Sequence, residues 1–226
     1  MLPTPLYVIL DRGAAAGREL PELLDGVLAG GCRVVQLREK SLPAVELHQL
    51  AGALRRRCRE AGCLFIVNDR VDLALAIEAD GVHVGQDDLP AREARRLLRP
   101  GMLLGVSTHD EDQARRAQDD GADYVAVGSM FPTGSKPGFR LVGPDLLRRV
   151  RPHISVPLVA IGGITVGNVA EVICAGADAV AVISAVSTIN ISTRRVDPRP
   201  MRPPARSVIR QGIGTIRGGL STATIT

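Results

Sequence analysis

Leu64-Phe65-Ile66-Val67 runs into Asn68-Asp69-Arg70-Val71-Asp72, and beyond Ala79-Asp80 the pattern returns as Gly81-Val82-His83-Val84 running into Gly85-Gln86-Asp87-Asp88. Each half is a short, continuously apolar run that ends in polar residues, with a helix expected to begin between them near Val71. A strand apolar on both faces, a helix and a second such strand make one unit of a parallel sheet. Outward from this unit the same kind of run recurs at Leu6 to Leu10, Val34 to Leu37, Met102 to Val106, Tyr124 to Val127, Leu158 to Ile161 and Ala179 to Ile183. Segments of helical spacing separate them, such as Val45, Leu47, Leu50 and Leu54, or Ala94, Leu97 and Leu98 after Pro90. Eight strand–helix units in about 190 residues predict an α/β (β/α)8 TIM barrel rather than an open doubly wound sheet. Turns such as Gly30-Gly31-Cys32, Ala61-Gly62-Cys63, Ala79-Asp80-Gly81, Gly121-Ala122-Asp123 and Gly176-Ala177-Asp178 read as helix C-terminal turns that feed the next strand.

Composition supports one domain with a sizeable core. Hydrophobic residues make up 45% of the 226, but only three Phe and two Tyr are aromatic, so aliphatic side chains must fill it. No stretch approaches the roughly 18 consecutive apolar residues of a membrane span, and the N-terminus lacks a basic secretory leader, so a cytoplasmic location is expected. The four cysteines, Cys32, Cys58, Cys63 and Cys174, match no zinc spacing and read as small hydrophobic fillers. The formal charge of +4 is uneven, since residues 188–226 hold seven Arg against one Asp and leave the first 187 residues slightly acidic. That tail has no aromatic residue on which a base could stack, which argues against a nucleic-acid partner. The expected division is therefore a barrel over 1–187 and an Arg/Pro-rich, disordered tail over 188–226, with the eighth helix missing or distorted.

In a barrel of this kind the reactive groups lie just past the C-terminal strand ends. After the second run, Gln36-Leu37-Arg38-Glu39-Lys40 aims two cations the same way, which suits a polyanion, although Arg38 and Lys40 could equally pair with Glu39 or other acids at the rim. Asp69 and Asp88 place carboxylates at neighbouring strand mouths, as Mg2+ prefers, or they cap the helices that follow. Ser107 in Gly105-Val106-Ser107-Thr108-His109 reads first as a helix cap and second as a phosphate donor. The segment from Gly128 to Gly138 carries Thr133, Ser135 and Lys136 and has the look of a phosphate-closing loop without a Walker A pattern. Backbone amides at Gly163, Ile183 and Ser184, after the seventh and eighth runs, are where barrels bind phosphate. His83 sits inside an apolar run and is expected to line the pocket, whereas His48, His109 and His153 read as surface residues.

Together, Gln36 to Lys40, Phe65 to Asp72, Gly81 to Asp88, Gly105-Val106-Ser107 and Ile161-Gly162-Gly163-Ile164 closely resemble the thiamine phosphate synthase family over residues 6 to about 187. The resemblance implies a (β/α)8 enzyme that joins 4-amino-2-methyl-5-hydroxymethylpyrimidine diphosphate to thiazole phosphate, with Mg2+, releasing pyrophosphate. It further implies that Asp69 and Asp88 hold the metal, and that Arg38, Lys40, Asn68, Ser107 and Lys136 hold the diphosphate. Gln36 and His83 would border the pyrimidine, and Thr133 and Ser135 would meet the thiazole phosphate with the amides of Gly163, Ile183 and Ser184. The partners implied are these small phosphorylated molecules, with no membrane and no nucleic acid; self-association into a homo-oligomer is left open. A related barrel, the thiazole tautomerase, uses a histidine just after the sixth strand, where this chain has Ser129, and it lacks the paired carboxylates. A catalytically inactive barrel that binds a phosphorylated ligand is the alternative outside enzymology, kept open by the divergence from the family after Ser187.

Overall fold

A computed structural model describes residues 2–134 and 140–186, so the expectations for Ser135, Lys136, the eighth helix and the tail lie outside the described residues. The chain runs β1 (Leu6–Asp11), α1 (Leu20–Ala29), β2 (Val34–Arg38), α2 (Ala44–Glu60), β3 (Leu64–Asn68), α3 (Val71–Ala76), β4 (Gly81–Val84) and α4 (Ala91–Leu97). It continues through β5 (Leu103–Thr108), α5 (Glu111–Asp119), β6 (Tyr124–Gly128), α6 (Asp145–Val150), β7 (Leu158–Ile161), α7 (Val169–Cys174) and β8 (Ala179–Val182). All strands are parallel and neighbours in sequence are neighbours in the sheet, which closes on itself when β1 pairs with β8. Val8 is thus partnered by Val35 on one side and Val182 on the other.

Strand side chains alternate between two apolar layers, which is why the runs are continuously hydrophobic. Val8, Leu10, Val35, Leu37, Phe65, Val67, Leu104 and Val106 point outward into the layer shared with the helices. Tyr7, Ile9, Val34, Ile66, Tyr124, Ala126, Val159, Ala179 and Ala181 form a second cluster inside the barrel. The helices meet the outer layer by 3.6-residue spacing. In α2, Leu47, Ala51, Leu54 and Cys58 are buried one turn apart. Burying a leucine there contributes roughly 2 kcal/mol, and truncating Leu54 to Ala would cost about 3 kcal/mol once the cavity is counted. The short α5 buries only Ala114 and Ala117 and is started instead by Asp110, whose carboxylate accepts from Gln113 N at 2.8 Å.

The expected C-terminal turns are present, with positive φ at Gly31, Gly62, Gly121 and Gly176 and return bonds such as Cys63 N to Cys58 O at 2.8 Å. In the third repeat Glu78 takes this conformation, at φ 53°, and the glycine of that turn, Gly81, already belongs to β4. Cys32, Cys58 and Cys63 are buried as fillers, but Cys174 is exposed, because it ends α7 on the solvent side. Among the described residues no helix is long and apolar enough to cross a membrane.

One device recurs at the N-terminal end of the barrel. Asp80, Asp123 and Asp178 each stand immediately before an even-numbered strand and accept a backbone N–H from the start of the preceding strand: Phe65 N, Leu104 N and Leu158 N, each at 2.7 Å. Each also pairs with an arginine of the outer layer: Arg55 at 2.9 Å, Arg95 at 2.8 Å and Arg151 at 2.6 Å. A carboxylate so placed ties strand to strand and strand to helix in one group. Asp80→Ala, which frees the Phe65 amide and leaves Arg55 without its carboxylate, is expected to cost about 2–3 kcal/mol in urea unfolding. The polar groups at the opposite end, where barrels of this kind carry their reactive residues, should be undisturbed by the change.

Candidate active site

At the C-terminal mouth the polar residues of β1 to β4 assemble into one charged corner. Arg38, the last residue of β2, pairs with Asp11, the last residue of β1 and its register partner across the sheet. Lys40 reaches Asp69 at 3.1 Å. Both cations therefore do meet acids at the rim, but not Glu39. That residue folds back on its own loop, its Oε1 accepting from Ser41 N and Oγ at 2.6 Å each and from Leu42 N at 3.2 Å. Burial would raise the Glu39 pKa, yet these bonds hold it below the usual carboxylate range.

Asn68 closes β3, and Asp69 follows it in a γ-turn with φ 61°, in which Arg70 N donates to Asn68 O at 2.7 Å. A non-glycine residue in that conformation is strained backbone of the kind found at binding sites. Asp69 caps nothing: α3 has no side-chain cap, and the carboxyl instead faces Asp88 and Lys40. Asp88 does not cap α4 either, because its Oδ2 turns back to accept from Gly85 N at 2.7 Å. Burial and the adjoining Asp88 carboxyl push the Asp69 pKa up, and Lys40 offsets this only in part. Two oxygen donors that repel each other when both are ionised fit a hard divalent cation. Among the described residues no cluster of three or more His, Cys, Asp or Glu is placed to hold a metal, so any ion here would take its other ligands from water or substrate.

Deeper in the barrel, the other predicted residues are strung together by two that the sequence did not single out. Gln36 is buried and donates from Nε2 to the Tyr7 hydroxyl at 2.7 Å. Tyr7 and Tyr124 hydroxyls lie 2.9 Å apart, and Tyr124 lies 3.1 Å from His83 Nδ1. His83 Nε2 in turn lies 2.8 Å from Ser107 Oγ. Ser107 therefore is no helix cap, since α5 begins at Glu111 behind Asp110. A Cβ at Gly105 would stand 2.1 Å from the Tyr124 ring, so the place of that ring requires glycine in β5. His109 also departs from expectation: it is half-buried, with Nδ1 2.6 Å from Gly128 O, tying the ends of β5 and β6. His48 and His153 are exposed as expected.

On the far side of the mouth, Gly163 has φ 64°, and a Cβ there would meet Pro132 O at 2.5 Å and Phe131 O at 2.8 Å. The glycine pair thus lets the loop after β6 pass close over the end of β7, where Met130 N donates to Ile161 O and Phe131 N to Gly162 O, each at 3.0 Å. Ile183 and Ser184 follow β8, the next strand, so the thiazole-phosphate candidates among the described residues share one arc of the rim. Asp11 was legible as the polar residue that ends the first apolar run. The two tyrosines, the only ones in the chain, each lie in an apolar run and so required hydroxyl partners in the interior.

A closed parallel barrel that gathers cations, paired carboxylates and close-approach glycines at its C-terminal mouth defines a barrel enzyme that handles phosphorylated substrates. Residues 6–186 match the family described as thiamine monophosphate synthase. The thiamine-phosphate synthase of Moorella thermoacetica is 54% identical over 182 residues, covering 80% of this chain and 87% of that protein. That of Methanoculleus marisnigri is 52% identical over 185 residues, covering 80% and 86%. The solved thiamine phosphate pyrophosphorylase from Pyrococcus furiosus superposes with a TM-score of 0.75 at 40% identity, covering 82% of this chain and 88% of that one. The chain belongs to the thiamine monophosphate synthase family and is a transferase that makes thiamine phosphate.

The raised pKa of Asp69 has a stability consequence. Its ionised form is penalised in the folded state, so the penalty is absent below the unfolded-state pKa of about 4 and complete above the raised folded value. Asp69→Asn, which tolerates positive φ, should therefore raise the melting temperature at neutral pH in EDTA, with the gain vanishing toward pH ~4. A lower melting temperature at neutral pH would show that Asp69 is held favourably and not against repulsion.

Proposed function

We propose that the chain condenses 4-amino-2-methyl-5-hydroxymethylpyrimidine diphosphate with thiazole phosphate in a Mg2+-dependent reaction. The observation that carries this reading is the corner where Asp69 faces Asp88, with the Lys40 ammonium 3.1 Å away and the Arg38–Asp11 pair on the adjoining strands. An acidic pair ringed by cations suits a diphosphate whose charge is shared with a divalent ion. Asp69 and Asp88 would hold Mg2+, which supplies charge neutralisation on the departing diphosphate.

Arg38, Lys40, Asn68, Ser107 and Lys136 bind the diphosphate, and its departure leaves a cation on the pyrimidine methylene that the aminopyrimidine ring stabilises. The thiazole nitrogen then attacks that carbon, closing the new C–N bond with pyrophosphate as leaving group. No side chain need act as nucleophile or strong base, which accords with a mouth rich in anion binders and with phenols buried away from it. Gln36 and His83 border the ring. Thr133, Ser135 and the amides at Gly163, Ile183 and Ser184 hold the thiazole phosphate so that its nitrogen faces the cation. A cytoplasmic location fits such soluble phosphorylated substrates.

The test is to incubate the full chain with both phosphorylated substrates and quantify thiamine phosphate and pyrophosphate. One-to-one products with Mg2+, and none in EDTA, are expected. Asp88→Ala should lower kcat/KM at least about a hundredfold and raise the Mg2+ requirement. Arg38→Ala should lose about a hundredfold in turnover with its unfolding midpoint nearly intact. Unfolding of the Arg38 variant without a specific kinetic defect would instead make its pair with Asp11 purely structural.

A further inference from the structure

Gln36, Tyr7, Tyr124, His83 and Ser107 make an unbroken hydrogen-bonded row through the barrel, from one candidate ligand position to another. Neither tyrosine lies at the mouth; both are fully buried. We propose that Tyr7 and Tyr124 are positioning residues that give this row a single direction, so that Gln36 presents its carbonyl oxygen and Ser107 its hydroxyl proton to the substrate. The inference rests on the reading above that Ser107 faces the diphosphate and Gln36 the ring.

The direction follows from the number of protons. Each phenol has one proton to donate. The Tyr7 oxygen already accepts from Gln36 Nε2 at 2.7 Å, so the Tyr7 proton goes to Tyr124, 2.9 Å away. The Tyr124 proton then goes to His83 Nδ1 at 3.1 Å. A neutral imidazole accepting at Nδ1 carries its hydrogen on Nε2, which donates to Ser107 Oγ at 2.8 Å. The Ser107 proton is left to point out of the row. With the amide in this orientation, any other arrangement leaves a buried phenol proton with no acceptor among the described residues, and such orphaned donors are costly. Turning the amide around would reverse the row and spend the Ser107 proton on His83. Oxygen lone pairs would then face an anionic diphosphate. The amide orientation and the charge of the ligand thus select the same direction.

Two consequences follow for substrate choice. A carbonyl oxygen at position 36 selects a ring that offers an N–H donor, and a hydroxyl proton at position 107 selects an anion. Burial pushes the pKa of both phenols well above its ordinary value, so neither loses its proton at working pH and the direction persists.

Nitrogen-15 NMR of the full chain without ligand reads the His83 tautomer directly. The neutral form protonated on Nε2 is expected, and protonation on Nδ1 would overturn the proposal whatever the activity. Tyr124→Phe keeps the ring and removes the relay proton. It should give a mixture of His83 tautomers and an about tenfold lower kcat/KM for the pyrimidine diphosphate, with KM for thiazole phosphate within about twofold of normal. An unchanged tautomer in that variant overturns the proposal. Tyr7→Phe releases the Gln36 amide, and selectivity for the aminopyrimidine diphosphate over its oxo analogue should fall about tenfold. Unaltered selectivity would mean that Tyr7 only fills space. Should Tyr124→Phe fail to fold, the wild-type spectrum and the Tyr7 variant still decide. Failure of the parent reading has a separate signature, the absence of thiamine phosphate from the wild-type incubation.

Discussion

The interior of an eight-stranded barrel must be filled by side chains, and here the filling is built around two phenols. Tyr7 and Tyr124 meet edge to face with ring centroids 5.8 Å apart, and His83 stacks on Tyr124 at 5.6 Å. The Tyr124 ring leaves no room for a Cβ at Gly105, and the interior cluster mixes the small Ala126, Ala179 and Ala181 with branched Ile9, Val34, Ile66 and Val159. Because a buried hydroxyl needs a partner, the same two residues draw Gln36, His83 and Ser107 into fixed positions. The side chains proposed to meet the pyrimidine diphosphate are thus set by the demands of core packing.

The two ends of the barrel divide the work. At the N-terminal end the Asp80, Asp123 and Asp178 carboxylates are each satisfied by an amide and an arginine, an arrangement that gains only by staying put. At the C-terminal end Asp69 sits in strained backbone against Asp88, and the charge of that pair is incompletely answered by Lys40. Stability forgone at that end is what would leave the proposed cation and diphosphate something to bind.

The fold was legible because a closed parallel sheet buries both faces of every strand, so each strand is an apolar run and each turn a polar break. The eight runs fall within about two residues of the observed strands. Local signals failed where long-range contacts outbid them. A serine just after an apolar run predicts a cap, but β5 continues to Thr108, and Ser107 is drawn inward by His83. The capping expectations for Asp69 and Asp88 failed for a like reason, each carboxyl finding a partner outside the helix that follows. The Tyr7–Tyr124 contact joins residues 117 positions apart, and no periodicity within a window of either reports it. Their identity as the only tyrosines, both in apolar runs, was the available clue.

Closure of the sheet also sets a timetable. Leu6, Tyr7 and Val8 are partnered on one side by Val180, Ala181 and Val182, the last strand of the barrel. At ribosomal rates of about 5–20 residues per second, the first strand waits roughly ten to thirty seconds for that partner to be made. Throughout that interval its free edge and the Tyr7 hydroxyl are open to whatever else can pair with them. For a parallel barrel, whose contacts are mostly distant in sequence, the hazard lies less in the finished molecule than in the half-made one.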